Sequence, residues 1–233
     1  MPPTEIIDRH CPDERATRRL GLDLGAVLRP GDALELVGPL GAGKTTLVRA
    51  IAEGLGLDTQ AVSSPTYVIV HEYAEPRPSD PDEDDDDRPA PPTLVHADFY
   101  RLGEADELDA LGWDRLTSPD ARTIIVAEWP ERAPGALDAQ PGGVARLTIE
   151  PTGATTRDVR LEIPDSWRDR AAFDALRPRA ATVCPVTGRP VPVESPTWPF
   201  ADEKARLADL DRWFTEQYTV SREIRETDLE LGD

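Results

Sequence analysis

Five residues within one short stretch have the types and the spacing to hold a polyphosphate. Gly38, Gly41, Gly43, Lys44 and Thr45 fit the pattern G-x-x-x-x-G-K-[ST] without a gap. Glycines let a backbone curl until successive N–H groups point inward at an anion, and a following helix adds the positive end of its dipole. A lysine in the place of Lys44 reaches the β- and γ-phosphates as a point charge, and a hydroxyl in the place of Thr45 can ligate Mg²⁺. Leu40 and Ala42 inside the turn, and Thr46 just after it, are counted with the same cradle.

Further along, two apolar runs end in an acid: Thr93 to Asp98 (TLVHAD) and Ile124 to Glu128 (IIVAE). Open α/β sheets bind ligands at the carboxyl ends of their strands, and a strand-end acid commonly shares Mg²⁺ with the loop hydroxyl. Two such acids give two candidates for two jobs, ordering the metal and orienting an attacking water. The alternative for either acid is a helix N-cap or a plain surface residue. Ser64 and Thr66 in Val62 to Tyr73 (VSSPTYVIVHEY) carry hydroxyls where a γ-phosphate sensor could sit. The same letters also read as a proline turn entering a strand.

The elements that must position these residues follow from periodicity. Ala33 to Val37 reads as a buried strand feeding the glycine-rich turn. Leu47, Val48, Ile51 and Leu55 then recur at helical spacing, with Gly56 where a C-cap belongs. Residues 13–28 predict an amphipathic helix with Leu20, Leu24 and Leu28 on its apolar stripe. Tyr67 to Tyr73 alternates as a strand. Glu104 to Leu116 is helical but broken near Gly112, with Trp113 in a packing role. Val144 to Glu150 and Thr156 to Ile163 alternate around Pro151-Thr152-Gly153, which predicts a hairpin with one wet face.

The 233 residues carry a formal net charge of −19. Seven acids between Asp80 and Asp87 account for part of it, and −12 remains without them. Such a chain does not invite nucleic acid directly, because that binding rests largely on Lys and Arg neutralising phosphates. Any nucleic-acid contact is therefore expected to be indirect, through a protein partner. The proline-rich, acidic stretch 74–92 predicts a disordered loop, since it has no apolar anchor to offset its ordering entropy. Cys11 and Cys184 are the only cysteines and suggest neither a disulfide framework nor a complete zinc site. No apolar run reaches membrane-spanning length and no signal-peptide core is visible, so the expectation is a cytoplasmic protein with no membrane partner.

Residues 5 to about 163 resemble the TsaE family, the ATPase of bacterial tRNA threonylcarbamoyladenosine biosynthesis. GPLGAGKTT, SSPTY, HADFYRL, ELDALG and VAEWPE occur in that family's order and at its approximate spacing. The resemblance implies a P-loop NTPase fold, a three-layer α/β sandwich with a mixed, largely parallel sheet. It implies ATP and Mg²⁺ as cofactors, weak hydrolysis by the chain alone, and work with TsaD-type and TsaB-type subunits on adenosine 37 of tRNAs reading codons that begin with A. By matching position it makes Lys44 a phosphate holder, Thr45 and Glu128 the Mg²⁺ ligands, and Asp98 the essential acid. Ser64 to Tyr67 become a switch-like loop, and Trp129 lies beside the nucleotide. Pro39 stands where the family often has Asp, which removes an acid but none of the phosphate-binding backbone. The acidic stretch is longer than in most of the family.

The remaining residues fall outside that core. Residues 164–179, rich in Arg and Asp, are expected to form a short helix or a linker. Residues 180–233 form an extension that resembles the zinc-ribbon family of DNA gyrase inhibitors through C-P-x-x-G, W-P-F and L-x-D-L-x-x-W. Only Cys184 stands at a ligand position, with Thr187, Ala201 and Ala205 at the other three. Structural zinc takes about four ligands, so a metal-free remnant packed by Trp198, Phe200, Leu207, Leu210 and Trp213 is expected, without gyrase inhibition. A small-molecule kinase is the alternative to the ATPase reading, since many P-loop folds phosphorylate metabolites.

Overall fold

The structure is a computed structural model, and it describes residues 5–58, 70–74, 92–103, 107–193, 195 and 197–218. The chain divides into two compact units, Met1–Pro178 and Arg179–Asp233.

The first unit is an α/β fold around one mixed seven-stranded sheet. Strands β1 (Glu5–Cys11), β2 (Asp32–Val37), β3 (Val70–Tyr73), β4 (Thr93–Asp98), β5 (Thr123–Glu128), β6 (Gly143–Pro151) and β7 (Arg157–Ile163) lie in the order β1-β7-β6-β2-β5-β4-β3. Only β3 and β7 run against the other five. Helices α1 (Glu14–Val27) and α2 (Lys44–Gly54) cover one face. Leu34 and Leu36 of β2, Ile124 and Val126 of β5, and Leu147 and Ile149 of β6 join their core. The alternate residues Ala33, Val95, Ala97, Ile125 and Ala127 face a second core. That core is closed by the short helices α3 (Glu107–Ala110) and α4 (Trp113–Thr117). Strict alternation on the central strands is what lets one sheet serve two cores.

Two helix boundaries have a clear local cause. Asp13 caps α1 by accepting the Ala16 N–H at 2.8 Å. Gly112 breaks the 107–117 segment in a left-handed conformation (φ 72°), as its residue type allows. Helices α1 and α2 touch backbone to backbone. A Cβ on Gly25 would meet the Ile51 carbonyl oxygen at 2.5 Å, and one on Gly54 would meet that of Leu22 at 2.6 Å.

Two features depart from the expectations above. Strand β1 pairs antiparallel with β7 at the sheet edge, although nothing in its sequence marks a strand. Residues 164–178 take the short-helix alternative and pack into the core, which was not expected of them. They form two helical turns, Asp165–Trp167 and Phe173–Leu176, and Trp167 and Leu176 are fully buried. Arg170 enters with them, donating to buried Asp32 through both terminal nitrogens, while the Trp167 indole N–H reaches Asp32 at 3.1 Å. The acid at the start of β2 is thereby neutralised, and the segment is tied to the sheet.

In the second unit β8 (Thr182–Val183) pairs with β9 (Pro190–Val191), and α5 (Glu203–Tyr218) follows. Cys184, Val191 and Ala205 form a small core with Val186, Trp198, Phe200 and Ala201 around it. Leu207 and Leu210 were expected in this core but are about half exposed, at 52% and 45%. The expected disordered loop lies mostly outside the described residues, as does the side chain of Trp213.

Candidate functional site

The glycine-rich turn joins the end of β2 to the start of α2, at the carboxyl ends of the neighbouring parallel strands β2, β5 and β4. Gly43 is the N-cap of α2 with φ 103°, a conformation that excludes a side chain cheaply only for glycine. It brings no capping side chain, so the first N–H groups of the helix receive no acceptor from it. Ala42 is buried and Gly38 packs against the end of β6, whereas Leu40 is 80% exposed at the tip and Thr46 is exposed.

Register brings the acids together. Asp98 is paired with Glu128 across β4 and β5, and Glu128 with Leu36 across β5 and β2. Thr45 Oγ1 donates to Glu128 Oε1 at 2.9 Å. His96, fully buried, approaches the same oxygen through Nε2 at 3.0 Å. Since a carboxylate only accepts, Nε2 carries the proton in that contact. Asp98 accepts the Tyr100 N–H at 3.0 Å, so the N-cap alternative describes part of its bonding.

Lys44 is buried, donating to the carbonyls of Gly38 (2.7 Å) and Pro39 (3.1 Å), with its ammonium 4.0 Å from the centre of the Trp129 ring. Burial pulls its pKa down, while the carboxylates of Glu128, Asp98 and Glu131 oppose that shift. Asp98 moves the other way. Burial raises its pKa, the Tyr100 N–H opposes, and the Glu128 charge raises it further. Trp129 itself has φ 59°, a left-handed conformation that is costly for a bulky residue, and its ring leans on Tyr100 at 5.0 Å.

Lys44, Thr45, Asp98, Glu128 and Trp129 therefore share one site, although 85 positions separate the first from the last. Ser64 and Thr66 lie outside the described residues. His96 carried no role in the sequence reading, because a lone histidine in an apolar run reads as core. Elsewhere, a polar concavity of about 760 Å³ on the outer face of β1, β7 and β6 is lined by exposed polar contacts such as the Asp8–Arg160 ion pair and the His10–Asp158 hydrogen bond. It gathers none of the motif residues.

Residues 11–159 match the family model described as "Threonylcarbamoyl adenosine biosynthesis protein TsaE". The chain belongs to the TsaE family. A relative in Streptomyces coelicolor, the tRNA threonylcarbamoyladenosine biosynthesis protein TsaE, is 42% identical over 145 residues, covering 61% of this chain and 85% of its own. Its namesake in Bacillus subtilis is 37% identical over 113 residues, covering 48% of this chain and 60% of its own. Among solved structures, YdiB of Bacillus subtilis superposes with a TM-score of 0.48 at 22% identity, covering 74% of this chain and 94% of the other. The family match covers β2, α2, β4 and β5, the elements that carry the site, and it does not favour the kinase alternative.

Proposed function

We propose that this chain is the ATP-binding and ATP-hydrolysing member of the bacterial machinery that forms N6-threonylcarbamoyladenosine at position 37 of tRNAs reading codons that begin with adenine. Family membership supports the pathway. The convergence of Lys44, Thr45, Asp98 and Glu128 at the mouth of a glycine-rich turn supports the chemistry, and the 2.9 Å contact of Thr45 with Glu128 carries it. We read the fold as the P-loop NTPase type.

In this reading the uncapped N–H groups at the start of α2 bind phosphate oxygens, and Lys44 leaves its carbonyl partners to neutralise them. The Thr45 hydroxyl and the Glu128 carboxylate are adjacent hard oxygen donors, the set Mg²⁺ prefers. Mg²⁺ held there supplies charge neutralisation of the β- and γ-phosphates. Asp98 holds the attacking water and takes its proton, a task suited to a carboxyl whose burial has raised its basicity. Trp129 borders the nucleotide. Ser64 and Thr66 are assigned to γ-phosphate sensing on their motif alone.

The partners are subunits of the TsaD and TsaB type. They, rather than a chain of net charge −19, contact the tRNA. The compartment is the cytoplasm; among the described residues no helix is long and apolar enough to cross a membrane. The second unit is read as a zinc-ribbon remnant held by packing. Ala201 and Ala205, at two former ligand positions, pack with Cys184 in its small core. Burial pushes the Cys184 thiol up, but hydrogen bonds from the Thr187 hydroxyl and the backbone of Ala201, Thr187 and Val186 outweigh it and hold the group at about 7.

The deciding experiment is ATP hydrolysis by the purified chain, with and without the TsaD- and TsaB-type subunits of the same cell. Weak turnover that changes when they are added is the expected result. Turnover indifferent to them, with no complex formed, would overturn the assignment.

A further inference from the structure

The β6–β7 hairpin is the floor beneath the glycine-rich turn. Gly38 lies so close to it that a Cβ there would meet the Ile149 carbonyl oxygen at 2.6 Å. Arg157, the first residue of β7, bridges the remaining gap. Its Nε donates to the Ala42 carbonyl at 2.7 Å. One terminal nitrogen donates to the carbonyls of Gly153, Ala154 and Thr156 at 3.1, 3.4 and 2.8 Å. The guanidinium is a planar, rigid fork, so anchoring that nitrogen in the hairpin tip also fixes the direction of Nε–H.

The bond to Ala42 acts across a whole peptide unit. In a trans peptide the C=O and the next N–H lie in one plane and point in opposite directions. Holding the Ala42 carbonyl toward the hairpin therefore turns the Gly43 N–H away from it. Gly43 N–H makes no backbone hydrogen bond to any described residue. Glycine torsions are soft enough for this peptide to flip, and the flipped form would present a carbonyl oxygen where an anion needs a donor.

We propose that Arg157 is a positioning residue for phosphate binding, holding the Ala42–Gly43 peptide so that its N–H faces the nucleotide. The inference rests on the phosphate-loop reading given above. It extends that reading to a residue 115 positions away from the carbonyl it holds.

The test compares ADP binding by calorimetry in the full chain and in its Arg157→Ala and Arg157→Lys variants, together with the Gly43 amide resonance of ¹⁵N-glycine-labelled protein. Both variants are expected to bind ADP about tenfold more weakly, the scale of one charge-assisted hydrogen bond. The Gly43 resonance is expected to shift on ADP addition in the unmutated chain and to lose most of that shift in the variants. For hydrolysis, KM for ATP rises by a similar factor while kcat changes less. A role as loose positive charge predicts full recovery in the lysine variant, and that recovery would overturn the proposal. So would unchanged affinity in both variants, even with a lowered Tm. If the alanine variant does not fold, the lysine variant decides by the same comparison. Failure of the unmutated chain to bind ADP would instead remove the phosphate-loop reading itself.

Discussion

His96 contributes to the site without meeting solvent. Its Nε2 and the Thr45 hydroxyl share one oxygen of Glu128, so the imidazole fixes the rotation of the carboxylate proposed to hold Mg²⁺. Partners behind a metal ligand typically matter by tenfold or more. His96→Phe is therefore expected to raise the Mg²⁺ concentration for half-maximal hydrolysis about tenfold, with His96→Gln recovering part of the loss. Metal-free ADP binding should change little, and a Mg²⁺ titration of both binding and turnover checks this. Asp98 makes a second case. Asp98→Asn should keep ADP affinity while lowering turnover by about a hundredfold or more, which single-turnover kinetics would show. The same variant has a stability signature. Because the folded-state pKa of Asp98 is raised, the charged carboxylate weakens the fold above the ordinary aspartate range, near pH 4, and this penalty disappears below it. The asparagine variant should accordingly melt higher than the unmutated chain at pH 7, and the gap should close on acidification.

At the scale of elements, the helix carrying Lys44 and Thr45 is located by its seam with α1. Gly21, Gly25 and Gly54 bring the two backbones together, and a Cβ on Gly21 would lie 2.3 Å from that of Ala50. Gly25→Ala should cost about 1–3 kcal/mol in urea unfolding, the usual penalty of overpacking. The Asp32–Arg170 pair fixes the opposite end of β2. Arg170→Met leaves a buried acid without its cation, and a loss of about 3–5 kcal/mol is expected in the same assay. These elements also show what could be read in advance. The leucine stripe announced α1, and strict alternation announced the β6–β7 hairpin. Strand β1 was hidden because its inward residues are Ile7, Arg9 and Cys11. Arg9 faces in only because Asp23 and the Ala175 carbonyl meet it there. The burial of residues 164–178 was hidden likewise, since Arg170 looks like surface until Asp32 is known to face it. The motif residues of the site were legible as a set because their spacing is itself the signal. His96 and Arg157 were not, since their partners lie 32 and 115 positions away and meet them only once the sheet and the turn above it are assembled.

For the whole molecule, the division after Pro178 rather than after Ile163 has a direct test. A chain ending at Pro178 should melt as a single cooperative unit and bind ADP as the full chain does. One ending at Ile163 loses Trp167, Phe173 and Leu176 from the core and the cation facing Asp32, and should fail to melt cooperatively. The glycine seam also bears on motion. Where two helices meet through backbone atoms, no side chain can rearrange to admit a breathing movement. The amides of α1 and α2 should then trade protons for deuterons only when the entire unit opens, whereas those of α3 and α4, four and five residues long, trade through local excursions. The polyphosphate cradle would thus sit on the slowest-exchanging part of the chain, and a site of that kind binds without first having to be put in order.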